Sequence, residues 1–198
     1  EGQYKLLQSK VLVIGMGGLG SPLLMYLAAA GIGNITIIDN DNVELSNLQR
    51  QVIHSTQNIG RPKVDSAESF IEKINPEIKI TKINSRVDAD NIIELIAKQD
   101  VIADGSDNFK TRFLVADTCF KLKKTLISAA ITKYEGQIST WKNKKNLPCY
   151  RCLFANEPND SNINNCSSNG VLGSIGGVFG SLQATEVIKE ILNIGSSL

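Results

Sequence analysis

Three glycines, at positions 15, 17 and 20, follow directly on the apolar run Val11-Leu12-Val13-Ile14 in the pattern G-x-G-x-x-G. The chemistry this spacing serves is phosphate binding by backbone. The first glycine permits a tight turn, the second lets backbone come close to a ligand, and the third lets a helix pack on a strand. Ser21 and Pro22 suit the first turn of that helix, one as a side-chain acceptor and the other as a residue with no N–H to leave unpaired. The helix would turn its positive end toward an anion. Asp39 ends the next apolar run, residues 34–39, about 20 residues beyond the glycines, where this arrangement places a carboxylate on a ribose hydroxyl pair. Taken singly, a glycine turn is common and Asp39 is a strand-end residue. The order of strand, glycines, helix, strand and acid points to a nucleotide.

Two of the four cysteines form Cys149-Tyr150-Arg151-Cys152. That spacing fits a metal or redox site in a reducing compartment, here expected to be the cytoplasm, rather than the disulfide framework of a small secreted domain. As a zinc site, Cys149 and Cys152 supply half of a tetrahedral set. As a redox pair they lack the expected position before a helix. The net charge of +1, from 21 basic and 20 acidic residues, argues against a nucleic-acid or basic membrane surface. Residues 11–38 carry no charge, but the glycine turn and Pro22 break them into strand, helix and strand rather than a membrane span.

These residues need a frame. Residues 19–30 are apolar all round and predict a buried helix. Residues 40–60 are polar, without periodicity, and contain the only histidine, His54, which reads as structural. A loop this long is usually functional. Pro62 opens a helix with apolar residues at 64, 67, 70, 71 and 74, which Asn75-Pro76 stops. Strands follow at 78–83, 100–104 and 125–129, with a helix from Asp88 or Asp90 to Lys98 and another from Asp107 or Asn108 to Lys121. Residues 136–141 read as a further strand, 143–169 as irregular, and 170–193 as a long helix with glycines one turn apart. The fold class is α/β: a Rossmann-like, mostly parallel sheet flanked by helices, with antiparallel strands added in the C-terminal part. Ligand belongs at the carboxyl ends of the strands, where Gly17, Asp39 and residues 104–107 converge.

The whole pattern resembles the ThiF/MoeB family, relatives of the ubiquitin-activating enzymes. The resemblance rests on residues 15–20, Asp39 with Asp41, residues 46–51, 60–63 and 105–108, Gly136-Gln137, the C-x-x-C pair, and residues 180–186. It implies a single adenylation domain over 1–198, with a nucleotide-binding part to about 133 and a carrier-binding, crossover-loop part beyond. It further implies an adenylyltransferase that uses ATP and Mg²⁺ on the C-terminal glycine of a ubiquitin-like sulfur carrier of ThiS or MoaD type, for thiamine or molybdopterin synthesis, and a homodimer.

By this resemblance Arg50 and Lys63 line the phosphates, Asp107 holds Mg²⁺, Gly18 touches the nucleotide through its backbone, Asp39 binds the ribose, and Asn47 and Asn108 are further contacts. Such chemistry needs cations and a metal rather than a general base, because both reactants are anions. Cys166, in the polar stretch before the last helix, matches a family cysteine placed to attack the activated carrier. Two features of the family pattern do not occur in these 198 residues, an Arg-rich segment and a second C-x-x-C that completes the zinc site; either the sequence is trimmed or this member lacks both. The alternatives are a non-catalytic scaffold half of a heterodimeric activating enzyme, or an NAD-dependent dehydrogenase. The dehydrogenase leaves Arg50, Lys63 and Asp107 unexplained.

Overall fold

The computed structural model of the protein describes residues 1–158 and 170–198. Among them, six strands form one sheet in the order β3-β2-β1-β4-β5-β6. They are β1 Lys10–Ile14, β2 Asn34–Ile38, β3 Lys79–Ile83, β4 Val101–Asp104, β5 Thr125–Thr132 and β6 Glu135–Trp141. The first five run parallel, with Val13 beside Ile37 and Ala103, and β6 returns antiparallel along β5. The parallel sheet with an antiparallel C-terminal addition is thus present.

Side chains alternate along β1, so each face of the sheet must be covered. Val11 and Val13 face α2 (Gly20–Ala30), α3 (Lys63–Ile74) and α7 (Gly173–Leu192), meeting Leu23, Leu27, Ala67, Ile71, Ala184 and Val187. Leu12 and Ile14 face α4 (Ile92–Ala97) and α5 (Phe109–Leu122), meeting Ile92, Ile96, Phe113 and Cys119. Burial pushes the Cys119 thiol far above its usual range, so it acts as a core residue. A short α1 (Gly2–Gln8) leads into β1, and α6 (Tyr150–Leu153) follows β6. Tyr150 sits edge-on against Phe113 and Trp141, which seats α6 on the second face.

The polar stretch 40–60 contains two 3₁₀ turns, Leu45–Asn47 and Thr56–Asn58, each closed by a capping box of its own side chains. Asn108, rather than Asp107, caps α5 by accepting the N–H of Thr111 at 2.9 Å. α4 starts later than expected, at Ile92, because Asp88 accepts the N–H groups of Asp90 and Asn91 in a turn that precedes it.

α7 lies across the start of α2 and against β5. Gln183 donates to the carbonyls of Asp104 and Ile127, both at 2.9 Å, tying the helix to β4 and β5. A Cβ on Gly180 would come within 2.4 Å of the Leu19 carbonyl oxygen, and one on Gly176 within 2.8 Å of the Gly18 carbonyl oxygen. The close stripe is therefore 173, 176 and 180; a Cβ on Gly177 meets nothing within 4 Å. This contrast makes a prediction. Gly180→Ala should cost about 1–3 kcal/mol or more through overpacking, whereas Gly177→Ala should be neutral or stabilise by about 0.5–1 kcal/mol. Urea unfolding of the two variants distinguishes them, and equal effects would contradict this packing.

Candidate functional site

The strand order reverses between β1 and β4, and the carboxyl ends of these strands open into a cavity of about 280 Å³. Such a switch point is where open α/β sheets bind ligands. Its walls come from the β1–α2 turn, the end of β2, the 40–60 stretch, the start of α3, residues 85–87 after β3, and residues 105–108 after β4.

The glycine turn is built as its spacing requires. Gly15 has φ +88°, a left-handed conformation that disfavours any side chain, and a Cβ there would also crowd the Gly105 carbonyl at 3.1 Å. Gly20 passes so close to the Gly15 carbonyl that a Cβ would lie 1.8 Å from its oxygen. Between them Gly17 and Gly18 border the cavity. Among the described residues, no hydrogen bond engages their N–H groups.

Asp39 holds this turn to β2. Its Oδ2 accepts the Met16 N–H at 2.7 Å and its Oδ1 the Asp41 N–H at 2.8 Å. Burial raises the Asp39 carboxyl above its ordinary pKa, while the charge of Lys63 and these two N–H groups oppose the shift. Lys63 heads α3 and is buried; its Nζ lies 2.8 Å from Asp41 Oδ2 and its backbone N–H donates to the Asp41 carbonyl at 2.9 Å. Arg50 runs its aliphatic stem along Gly18 and donates through Nη1 to the Ser46 carbonyl at 3.2 Å. Gln51 is buried beside it on the cavity wall, with Oε1 lacking a partner among the described residues.

Asp107 is exposed at the mouth of the cavity, and Asn108 borders it behind Asp107. The loop presenting both is held from beneath. Buried Arg112 donates from Nε and Nη2 to the Ser106 carbonyl at 3.1 and 2.7 Å, and the Ser106 N–H donates to Asp104. Gly18, Asp39, Arg50, Lys63, Asp107 and Asn108 thus share one cavity. Asn47 does not line it: buried below the loop, its Oδ1 accepts the Glu44 N–H at 3.2 Å and closes the first 3₁₀ turn.

The sequence reading passed over Arg112, which lies mid-helix in no motif, and residues 85–87, which the strand-end rule alone would have flagged. His54, read as structural, is buried between the glycine turn and α3. Cys166 lies outside the described residues.

The ThiF family model matches residues 1–198. The chain belongs to the ThiF family. It is 45% identical over its whole length to the SAMP-activating enzyme E1 of Haloferax volcanii, covering 73% of that protein. It is 45% identical over 192 residues to adenylyltransferase and sulfurtransferase MOCS3 of Culex quinquefasciatus, spanning 97% of this chain and 44% of the relative. It is 46% identical over 199 residues to the probable molybdopterin-synthase adenylyltransferase of Porphyra purpurea, of which it spans 52%. This ThiF-family chain therefore spans about half the length of several relatives it matches. The crystal structure of E. coli MccB with ATP superposes with a TM-score of 0.83 at 25% identity, over 100% of this chain and 60% of MccB.

The C-x-x-C pair sits apart from the cavity. Cys149 N-caps the four-residue α6, contrary to the expectation that no helix follows it, and its Sγ lies 3.3 Å from Cys152 Sγ. The Cys149 N–H points at Cys152 Sγ and lowers that thiol's pKa. Among the described residues no third His, Cys, Asp or Glu joins the two. They supply two zinc ligands, short of a closed tetrahedral site. Among the described residues no helix is long and apolar enough to cross a membrane.

The bonding of Asp39 yields a test. Asp39→Ala should lower stability by about 1–3 kcal/mol without any ligand, because it orphans the buried Met16 N–H. Arg50→Ala, whose head is not buried, should change stability by less than about 0.5 kcal/mol. Equal losses in chemical denaturation would contradict this division.

Proposed function

We propose that this ThiF-family protein binds MgATP in the switch-point cavity and adenylates the C-terminal glycine carboxylate of a ubiquitin-like sulfur carrier of ThiS or MoaD type. The observation that carries the reading is the convergence of the glycine turn, Asp39, Arg50, Lys63 and Asp107 on one cavity. The names and functions of the relatives support the carrier class, and the fold shared with ATP-bound MccB supports the nucleotide.

In the reaction, a carrier carboxylate oxygen forms a bond to the α-phosphorus while the bond from that phosphorus to the bridging oxygen breaks. Pyrophosphate carries away the electron pair, and no proton need move. Two anions must meet, so positioning and positive charge do the catalytic task. The free N–H groups of Gly17 and Gly18, at the start of α2, take phosphate oxygens. Lys63 is buried beside Asp41, where the field of an ammonium is little screened, and a phosphate competes with Asp41 for it. Arg50 offers a fork suited to two phosphate oxygens. Asp39 receives the ribose on the lone pairs that Met16 and Asp41 leave open. Asp107, an exposed carboxylate whose one hydrogen bond among the described residues is from Asn108 Nδ2 at 3.5 Å, suits Mg²⁺, which prefers oxygen and shares its shell with phosphate. Asp107 would hold the ion, which would supply positive charge against the phosphates. Zinc is proposed only if further ligands join Cys149 and Cys152.

We also propose a homodimer. α7 leaves Val178 and Leu182 exposed above its packed glycine stripe, apolar surface that a second copy would cover. Carrier-dependent pyrophosphate exchange tests the reading. Asp107→Ala and Arg50→Ala should each lose on the order of 100- to 1,000-fold in rate while melting like the wild type. Light scattering of the same preparations should give the dimer mass. Wild-type exchange by either variant would refute its assignment, and a monomer at micromolar concentration would refute the dimer.

A further inference from the structure

His54 is buried and is absent from the cavity wall, yet it touches the two elements that present charge to the cavity. Its Nε2 lies 2.9 Å from the Met16 carbonyl oxygen, and its Nδ1 lies 2.8 Å from Ser66 Oγ. A carbonyl oxygen only accepts, so Nε2 carries the proton. In the neutral ring Nδ1 is then the acceptor and the Ser66 hydroxyl donates to it. Burial holds the imidazole pKa below its ordinary value, which keeps this single tautomer at neutral pH.

The bond to Met16 has a geometric consequence one residue on. The Met16 carbonyl and the Gly17 N–H belong to one planar, trans peptide, so they point in opposite directions. Drawing the carbonyl toward His54 turns the Gly17 N–H away from it, and Gly17 borders the cavity. The neighbouring groups close off rotation. The Met16 N–H is held by Asp39, and the Gly17 carbonyl accepts the Ser21 N–H at 2.9 Å. Ser66 lies on α3, one turn beyond Lys63, so the same imidazole joins the glycine turn to the helix that carries the buried cation.

Resting on the nucleotide reading above, we infer that His54 is a positioning residue: it aims the Gly17 amide at a nucleotide phosphate and holds that amide in register with Lys63. A core histidine with only a packing role would affect every ligand of the cavity alike. A residue that aims one phosphate donor affects the phosphates and leaves the nucleoside alone.

The test measures binding of ATP and of adenosine by calorimetry, with melting temperatures, for the wild type, His54→Phe, His54→Gln and Ser66→Ala. His54→Phe fills the space but donates nothing, and should weaken ATP about tenfold, the scale of one hydrogen bond to a charged group, with adenosine unchanged. His54→Gln can return an N–H to the Met16 carbonyl and should recover most of the ATP affinity. Ser66→Ala should produce a smaller loss, again confined to ATP; if His54→Phe does not fold, the ATP-only loss in Ser66→Ala decides the matter, with His54→Gln near the wild type. ATP affinity unchanged in both His54→Phe and Ser66→Ala, or ATP and adenosine weakened in parallel, would overturn the inference while leaving the nucleotide reading intact. A wild type that binds neither ligand would overturn the nucleotide reading and this inference with it.

Discussion

The Met16 N–H has to find an acceptor where β1 gives way to the glycine turn, and it finds Asp39 at 2.7 Å. An unpaired buried amide would cost about 1–3 kcal/mol, so the turn after β1 and the end of β2 are locked together. The second Asp39 oxygen takes the Asp41 N–H, and Asp41 in turn takes both the backbone and the ammonium of Lys63. One carboxylate at a strand end thus organises the turn that offers amides, the loop that follows β2 and the helix that offers a cation. The far wall is built by the same logic: Arg112, buried, draws in the Ser106 carbonyl and so sets the loop that presents Asp107.

The electrostatic arrangement follows from burial. Lys63 is buried at the head of α3 and its partner Asp41 is exposed, so that acid can yield to a phosphate at small cost. Arg50 is half in solvent, with its stem against Gly18, and can swing over a bound anion. Positive groups arranged before the ligand arrives need no reorganisation during the reaction. The glycine stripe of α7 belongs to this arrangement too, because it lets the helix lie directly against the backbone of Gly18 and Leu19.

Much of this was legible in the chain. The β1 run, the glycines and Asp39 specify a local strand–turn–helix–strand unit, and local patterns are what a sequence displays. Strand ends shifted by a residue or a few, as in β5, which continues to Thr132 because β6 pairs with it as far as Glu135. Cross-strand partners are not visible in a single run of residues. Asn47 enters as a ligand contact only through the family resemblance, whereas in the structure its amide closes a turn of the kind that Ser, Asn and Asp side chains favour. Arg112 and His54 were opaque for another reason. Both act through backbone carbonyls, Arg112 on Ser106 and His54 on Met16, and a carbonyl leaves no trace in the sequence.

The proposed activation of a carboxylate transfers the adenylyl group of ATP and not its terminal phosphoryl group. The direct measurement is a single turnover with a ubiquitin-like carrier ending in Gly-Gly and with ATP labelled at either the α- or the γ-phosphorus. For adenylyl transfer, α-label moves to the carrier in a hydroxylamine-labile acyl linkage while γ-label leaves as pyrophosphate. γ-Label on the carrier or released as inorganic phosphate, together with α-labelled ADP and no α-label on the carrier, would contradict it.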